Sequence, residues 1–139
     1  MSTEPSRIEP TADRPVNMLL DVSNTMVKLY KELFGRGPTK VRTYWTGPDA
    51  LTVILEDTLT KAEQNMVTLG EQQRLRDTRM FFQYATVKEF CEPVERITGR
   101  TVRSFISGLD SEVNGLALET FIFYPRGQEG PSRATMSKV

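Results

Sequence analysis

Between about Pro15 and Phe34 the apolar positions are Leu19, Val22, Met26, Leu29, Tyr30 and Leu33, one stripe of an amphipathic helix. Leu20, Val27 and Phe34 widen that stripe, so more than one side of the helix is expected to be covered. Gly35 suits the left-handed residue that ends a helix, and Pro38 stops any continuation. The pattern then changes period. Val41, Thr43 and Trp45 alternate with Arg42 and Tyr44, and Leu51, Val53 and Leu55 alternate with Thr52, Ile54 and Glu56. Gly47-Pro48-Asp49 lies between them, so residues 40–46 and 50–56 are predicted to form a hairpin.

The same order of patterns returns in the second half. Thr60-Lys61-Ala62-Glu63 is a capping-box sequence, predicting a short helix from Lys61 to about Gly70. A longer helix is predicted from about Gln72 to Thr98, with Val87, Phe90, Cys91, Val94 and Ile97 on one stripe and a kink at Pro93. Gly99 stops it as Gly35 stops the first, and strands are predicted over 101–107 and 115–124. The expected architecture is an α+β two-layer sandwich in the order α-β-β-α-α-β-β, a four-stranded antiparallel sheet with helices on one face. Helix, Gly-Arg turn and hairpin occur twice, at Gly35-Arg36 and at Gly99-Arg100, which predicts a pseudo-twofold relation between the halves. In the last strand both registers are apolar: Leu116, Leu118 and Ile122 on one, Ala117, Phe121 and Phe123 on the other. A strand apolar on both faces is covered on both. The second cover is expected to be another subunit, giving a homodimer with Phe121, Phe123 and Tyr124 at its contact.

Composition narrows the chemistry. The chain has 139 residues, 38% of them hydrophobic, enough for one domain over 15–125 that folds without disulfides or metal. Residues 1–14 and 126–139 are Ser-, Pro-, Gly- and charge-rich and are expected to be disordered tails. Lys plus Arg and Asp plus Glu number 18 each, a net charge of zero that argues against nucleic-acid binding and permits self-association. Histidine is absent and Cys91 is the single cysteine, so His-dependent catalytic triads and His- or Cys-rich zinc sites cannot be assembled within one chain. No catalytic residue, metal or cofactor is expected. Without an apolar run long enough to span a bilayer, direct membrane insertion is not expected either, and the cytoplasm is the expected compartment.

Several residues have both a chemical and a structural reading. Arg36 between two glycines could hold an anion, but it follows a helix, at the negative end of the dipole, where phosphate loops do not sit. The structural reading is a helix stop whose guanidinium pairs with Glu56 or Asp57. Arg36, Arg100 and Asp110 are the candidate ligand-binding set if the two Gly-Arg turns converge. Glu56 and Asp57 could serve Mg²⁺ or acid–base chemistry, or could favour the N-terminus of the helix capped by Thr60. Met80-Phe81-Phe82-Gln83-Tyr84 beside Arg74, Arg76 and Arg79 could stack on bases, but packing or an interface is the better reading at zero net charge. Cys91 reads as an inert core residue.

Taken in order, several segments resemble the bacterial MpsC-like family, long catalogued as a domain of unknown function. They are Gly35-Arg36-Gly37-Pro38-Thr39-Lys40-Val41, Leu55-Glu56-Asp57-Thr58-Leu59-Thr60 with Glu63, and Arg79 with Phe82 and Gln83. Thr98-Gly99-Arg100 before Val102, Phe105-Ile106-Ser107, Asp110 and Glu119-Thr120-Phe121 complete the pattern over about 17–125. Where some members read Asp-Thr-His, this chain has Ser107-Gly108-Leu109. The resemblance implies a link to a cation-translocating, membrane-potential-generating system whose membrane partners are tied to inorganic-carbon uptake. It supplies no catalytic motif. The expected function is therefore a non-enzymatic cytosolic accessory or regulatory protein that works through protein contacts, with a membrane transport complex as partner. A small-ligand or anion-sensing domain is the alternative.

Overall fold

The structure, a computed structural model, describes the backbone of residues 14–136 and the side chains of residues 17–136. The predicted tail at 1–14 thus lies outside the described residues, save that Arg14 opens the first helix. The elements are α1 (Arg14–Phe34), β1 (Lys40–Gly47), β2 (Ala50–Glu56), α2 (Lys61–Thr68), α3 (Gln72–Ala85), α4 (Val87–Thr98), β3 (Val102–Asp110) and β4 (Leu116–Phe123). The strands form one antiparallel sheet in the order β1-β2-β4-β3, with the helices on one face.

That order places the two hairpins back to back, joined by the antiparallel β2–β4 pair. It is the arrangement expected of two helix-turn-hairpin halves related by a twofold through the sheet centre. The turns match as well. Gly35 and Gly99 both adopt left-handed backbone, φ 77° and 71°, and each amide bonds the carbonyl four residues back, Lys31 and Glu95.

The core lies between sheet and helices. Val22, Met26 and Tyr30 of α1 and Phe90, Cys91 and Val94 of α4 pack against Leu51, Val53 and Leu55 of β2 and Ala117, Phe121 and Phe123 of β4. Aromatic rings link the layers: Phe105 stacks on Phe90 at 5.3 Å and meets Phe121 at 5.2 Å. Ser23 and Thr43 share a buried hydroxyl–hydroxyl bond of 2.7 Å that fixes α1 to β1.

Two expectations are corrected. The predicted Gln72–Thr98 helix is two helices, broken at Thr86, with Pro93 inside the second. The Thr86 hydroxyl donates to the Phe82 carbonyl at 2.7 Å, the acceptor its own amide would use in a continuous helix. That amide bonds Gln83 instead, at 3.3 Å. The predicted disordered tail from 126 is folded as far as it is described. Ala134 sits in the core, Ser132 Oγ donates to Glu95 Oε2 at 2.7 Å, and the Arg133 amide donates to the Val102 carbonyl at 2.8 Å. The Tyr124 hydroxyl holds the Pro131 carbonyl at 2.8 Å. Composition hid this because a docked loop needs few apolar residues when an adjacent strand edge supplies hydrogen-bond partners.

Deleting the chain after Arg126 removes those bonds and uncovers the edge of β3. The expected loss is about 2 kcal/mol, a fall in Tm of roughly 5–10 °C measured by circular dichroism.

Candidate functional site

The two Gly-Arg turns lie at opposite ends of the sheet. Arg36 donates through Nη2 to Asp57 Oδ2 at 2.8 Å and through Nη1 to the Leu59 carbonyl at 2.5 Å. It thereby ties the start of β1 to the segment after β2. Arg100 donates to the Pro48 carbonyl at 2.8 Å, to Asp49 Oδ1 at 2.5 Å and to the Tyr124 carbonyl at 3.0 Å, with its guanidinium 5.2 Å from the Phe123 ring centroid. The length of β1, eight residues at about 3.3 Å each, separates the two anchor points. Arg36, Arg100 and Asp110 therefore do not form one ligand site. Asp110 shares the Arg36 end and accepts from the Glu112 amide at 3.0 Å, a turn bond. Arg36 takes the structural role weighed for it from the sequence, with Asp57 as its partner. Glu56 pairs with Arg42 at 2.7 Å.

The proposed contact residues also need relocation. Phe121 and Phe123 are buried in the core of one chain, and the Tyr124 hydroxyl serves the C-terminal loop. The period of two assigns them to the helix-covered face. The apolar residues of β4 left outside are Leu116 and Leu118, with Ile122 partly covered.

What the structure does assemble is a buried polar cluster. Glu119, in the middle of β4, has no accessible surface. Its Oε2 accepts from the Tyr30 hydroxyl of α1 at 2.5 Å and from Gln83 Nε2 of α3 at 2.7 Å. Gln83 Nε2 also reaches the Tyr30 oxygen at 3.0 Å. Beside them Arg79, 1% exposed, pairs with Glu63 through Nε and Nη2 at 2.6 and 2.7 Å and donates to the Thr58 carbonyl. Its guanidinium lies 4.1 Å from the Phe34 ring centroid. Glu63 is held by the capping box, donating its amide to Thr60 Oγ1 and accepting from the Thr60 amide. A cavity of about 30 Å³ adjoins the cluster, bounded by Arg76, Arg79, Met80, Gln83, Gly108 and Leu109, with room for water.

The electrostatics follow from these contacts. Burial raises the Glu119 carboxyl to about 7, although the Tyr30 and Ser107 hydroxyls and Arg79 pull it down. Burial and the neighbouring Glu119 charge push Tyr30 well above its ordinary value, so it stays a donor. Burial also opposes ionisation of Glu63, but its bonds to Arg79 and Thr60 outweigh burial and leave it below the usual carboxylate range. Cys91 is driven up to about 12, first by burial and then by Glu95, which suits an inert core thiol.

Sequence reasoning named Glu119 only as part of a family pattern, Arg79 and Gln83 in that pattern and in the aromatic and basic run over 74–84, and Tyr30 only as a helix-stripe residue. One signal was available: Glu119 falls in the Ala117-Phe121-Phe123 register, a charge at an inward position.

On the outer surface of the helical layer, Met80, Phe81 and Phe82 are exposed, Phe81 by 69%, with the two phenyl rings 5.5 Å apart. They are not core residues. No helix among the described residues is long and apolar enough to cross a membrane, and no group of three or more potential metal-ligating side chains occurs among them.

Among families of known proteins, the model of the family described as "Na+-translocating membrane potential-generating system (MpsC)" fits residues 17–124. No curated protein and no solved structure matches.

Glu119 sets a pH dependence. Its folded value of about 7 lies above the ordinary 4.5, so the folded state holds a proton that the unfolded state has released. Its contribution is fully present below pH 4.5, declines as pH rises towards 7, and is lost above it. The decline amounts to about 3 kcal/mol in all. Glu63 acts oppositely, contributing above the ordinary carboxylate range and less as acid protonates it. Glu119→Gln keeps an acceptor for Tyr30 and Gln83. It should flatten the slope between pH 5 and 8 and equal or exceed the parent's stability at pH 8, as read by urea unfolding. Glu119→Ala takes the acceptor from Tyr30 and also removes the titrating group, so it should cost about 3 kcal/mol at pH 5 and markedly less at pH 8. In the same assay Arg100→Ala should cost about 3 kcal/mol and the more exposed Arg36→Ala about 1 kcal/mol.

Proposed function

The chain belongs to the MpsC family, and on that footing we propose that it is a non-enzymatic accessory or regulatory subunit of a cation-translocating, membrane-potential-generating system. It works from the cytoplasmic side through protein contacts, as a homodimer that engages a membrane-embedded partner. The observation carrying this reading is the exposed aromatic shelf of Met80, Phe81 and Phe82 on α3. Two adjacent phenylalanines facing solvent lose hydrophobic stabilisation that a partner surface restores, at about 25 cal/mol per Å² covered. Their surroundings favour a protein partner over a nucleic acid, because the chain carries no net positive charge.

The absence of histidine from the sequence and the commitment of Arg36, Arg79 and Arg100 to internal bonds support a non-catalytic role. The residues first grouped for anion sensing are divided between the two ends of the sheet, so they lend that alternative no support.

Purification of the tagged full chain from native membranes in mild detergent should recover a polytopic membrane protein. Phe81→Ser with Phe82→Ser should abolish the recovery while leaving the melting temperature within a few degrees. Equal recovery with the double variant would remove the shelf from the mechanism. Recovery of no membrane protein would count against the transport link.

A further inference from the structure

The face of the sheet opposite the helices has no cover within the chain. Tyr44, Ile106, Leu116 and Leu118 on it are each at least 40% exposed, Ile106 by 57%. Ile54 and Ile122 lie between them, and Thr46, Thr52 and Thr120 form a line of hydroxyls bonded at 3.1 and 3.2 Å across the strands. We infer that this face pairs with the same face of a second copy, so that two sheets close into a sandwich with helices on both outer sides. The inference rests on the homodimer reading above and replaces the Phe121, Phe123 and Tyr124 contact with its opposite face.

Two observations favour a second copy as the occupant. The first is size. Strands of seven to nine residues, four abreast, make a face about 25 Å by 20 Å, roughly 500 Å² before side-chain relief and rim are added. A stable interface takes roughly 800 Å² from each partner. A sheet of equal dimensions covers all of it, whereas one peptide strand or one helix leaves much of it wet. The second is charge. The charged residues that pair in register on this face, Lys40 and Arg42 on β1, Glu56 on β2 and Asp110 on β3, gather at one end of the sheet, while the exposed Arg103 sits in the β3 bulge at the other. In a pair related by a twofold along the strands, β1 of each copy lies over β3 of the other. The Lys40 corner then meets the Asp110 corner at both lateral edges of the contact, opposite signs facing. The middle of the face, Ile54 and Leu118 beside Thr52 and Thr120, is apolar or hydroxylic and meets itself.

The test is light scattering of the purified full chain from 1 to 100 µM, with hydroxyl-radical footprinting. The parent should be a dimer, with Tyr44 and Leu118 less oxidised in the dimer than after dilution. Leu118→Lys should give a folded monomer by circular dichroism. Lys40→Glu should weaken pairing several-fold, and adding Asp110→Lys should restore it, a rescue that unfolding cannot mimic. Phe81→Ser should leave the dimer intact. A parent dimer unaffected by Leu118→Lys and unprotected at Tyr44 would overturn the sheet-to-sheet pairing while keeping the homodimer. A parent monomer at 100 µM would overturn both.

Discussion

A carboxyl without accessible surface, at the middle of a central strand, is the constraint around which this fold is arranged. Glu119 is inside because β4 alternates, and its register is fixed by Phe121 and Phe123 on one side and Ala117 on the other. Leaving it unpaired there would cost several kcal/mol. Tyr30 and Gln83 must therefore reach it, and each comes from a different helix. Gln83 in turn fixes the rotation of α3, which delivers Arg79 one turn earlier to Glu63 and the Thr58 carbonyl. One inward charge thus specifies how α1, α2 and α3 sit on the sheet. An apolar core of the same volume would tolerate more arrangements, because dispersion and burial are not directional.

The paired Gly-Arg turns solve a related problem at the sheet's ends. A helix that stops on a left-handed glycine leaves the next residue pointing away from the helix axis. In both halves that residue is an arginine that bonds the segment leaving its own hairpin, and Arg100 also bonds the turn of the other hairpin. The two sites differ in depth. Arg100 is almost fully buried and stacks near Phe123, while Arg36 keeps about a third of its side chain in solvent. The repeat is structural, and the divergence shows that only the Arg100 end was built into the core.

Much of this could be read from periodicity. The helix stops at Gly35 and Gly99, the capping box at Thr60 and both hairpins follow from local chemistry, and the structure has them where the sequence puts them. What was not legible depended on tertiary partners. The break at Thr86 arises from a hydroxyl choosing between backbone acceptors, which no period reveals. The docked C-terminal loop depends on the free edge of β3 and on Glu95. The polar cluster joins residues far apart in sequence, each with an ordinary local reading, and only Glu119 in an apolar register marked it.

The last strand carries the main revision. Both of its registers are apolar, and neither alternation nor hydrophobicity alone says which one faces the helices. Glu119 resolves that. A buried carboxyl needs donors, donors within reach come from helices, and so the register containing Glu119 must be the inner one. Phe121 and Phe123 go inward with it, and Leu116, Leu118 and Ile122 are left to face outward. The polar residue, not the larger aromatics, decides which face of the sheet is core and which remains for contact.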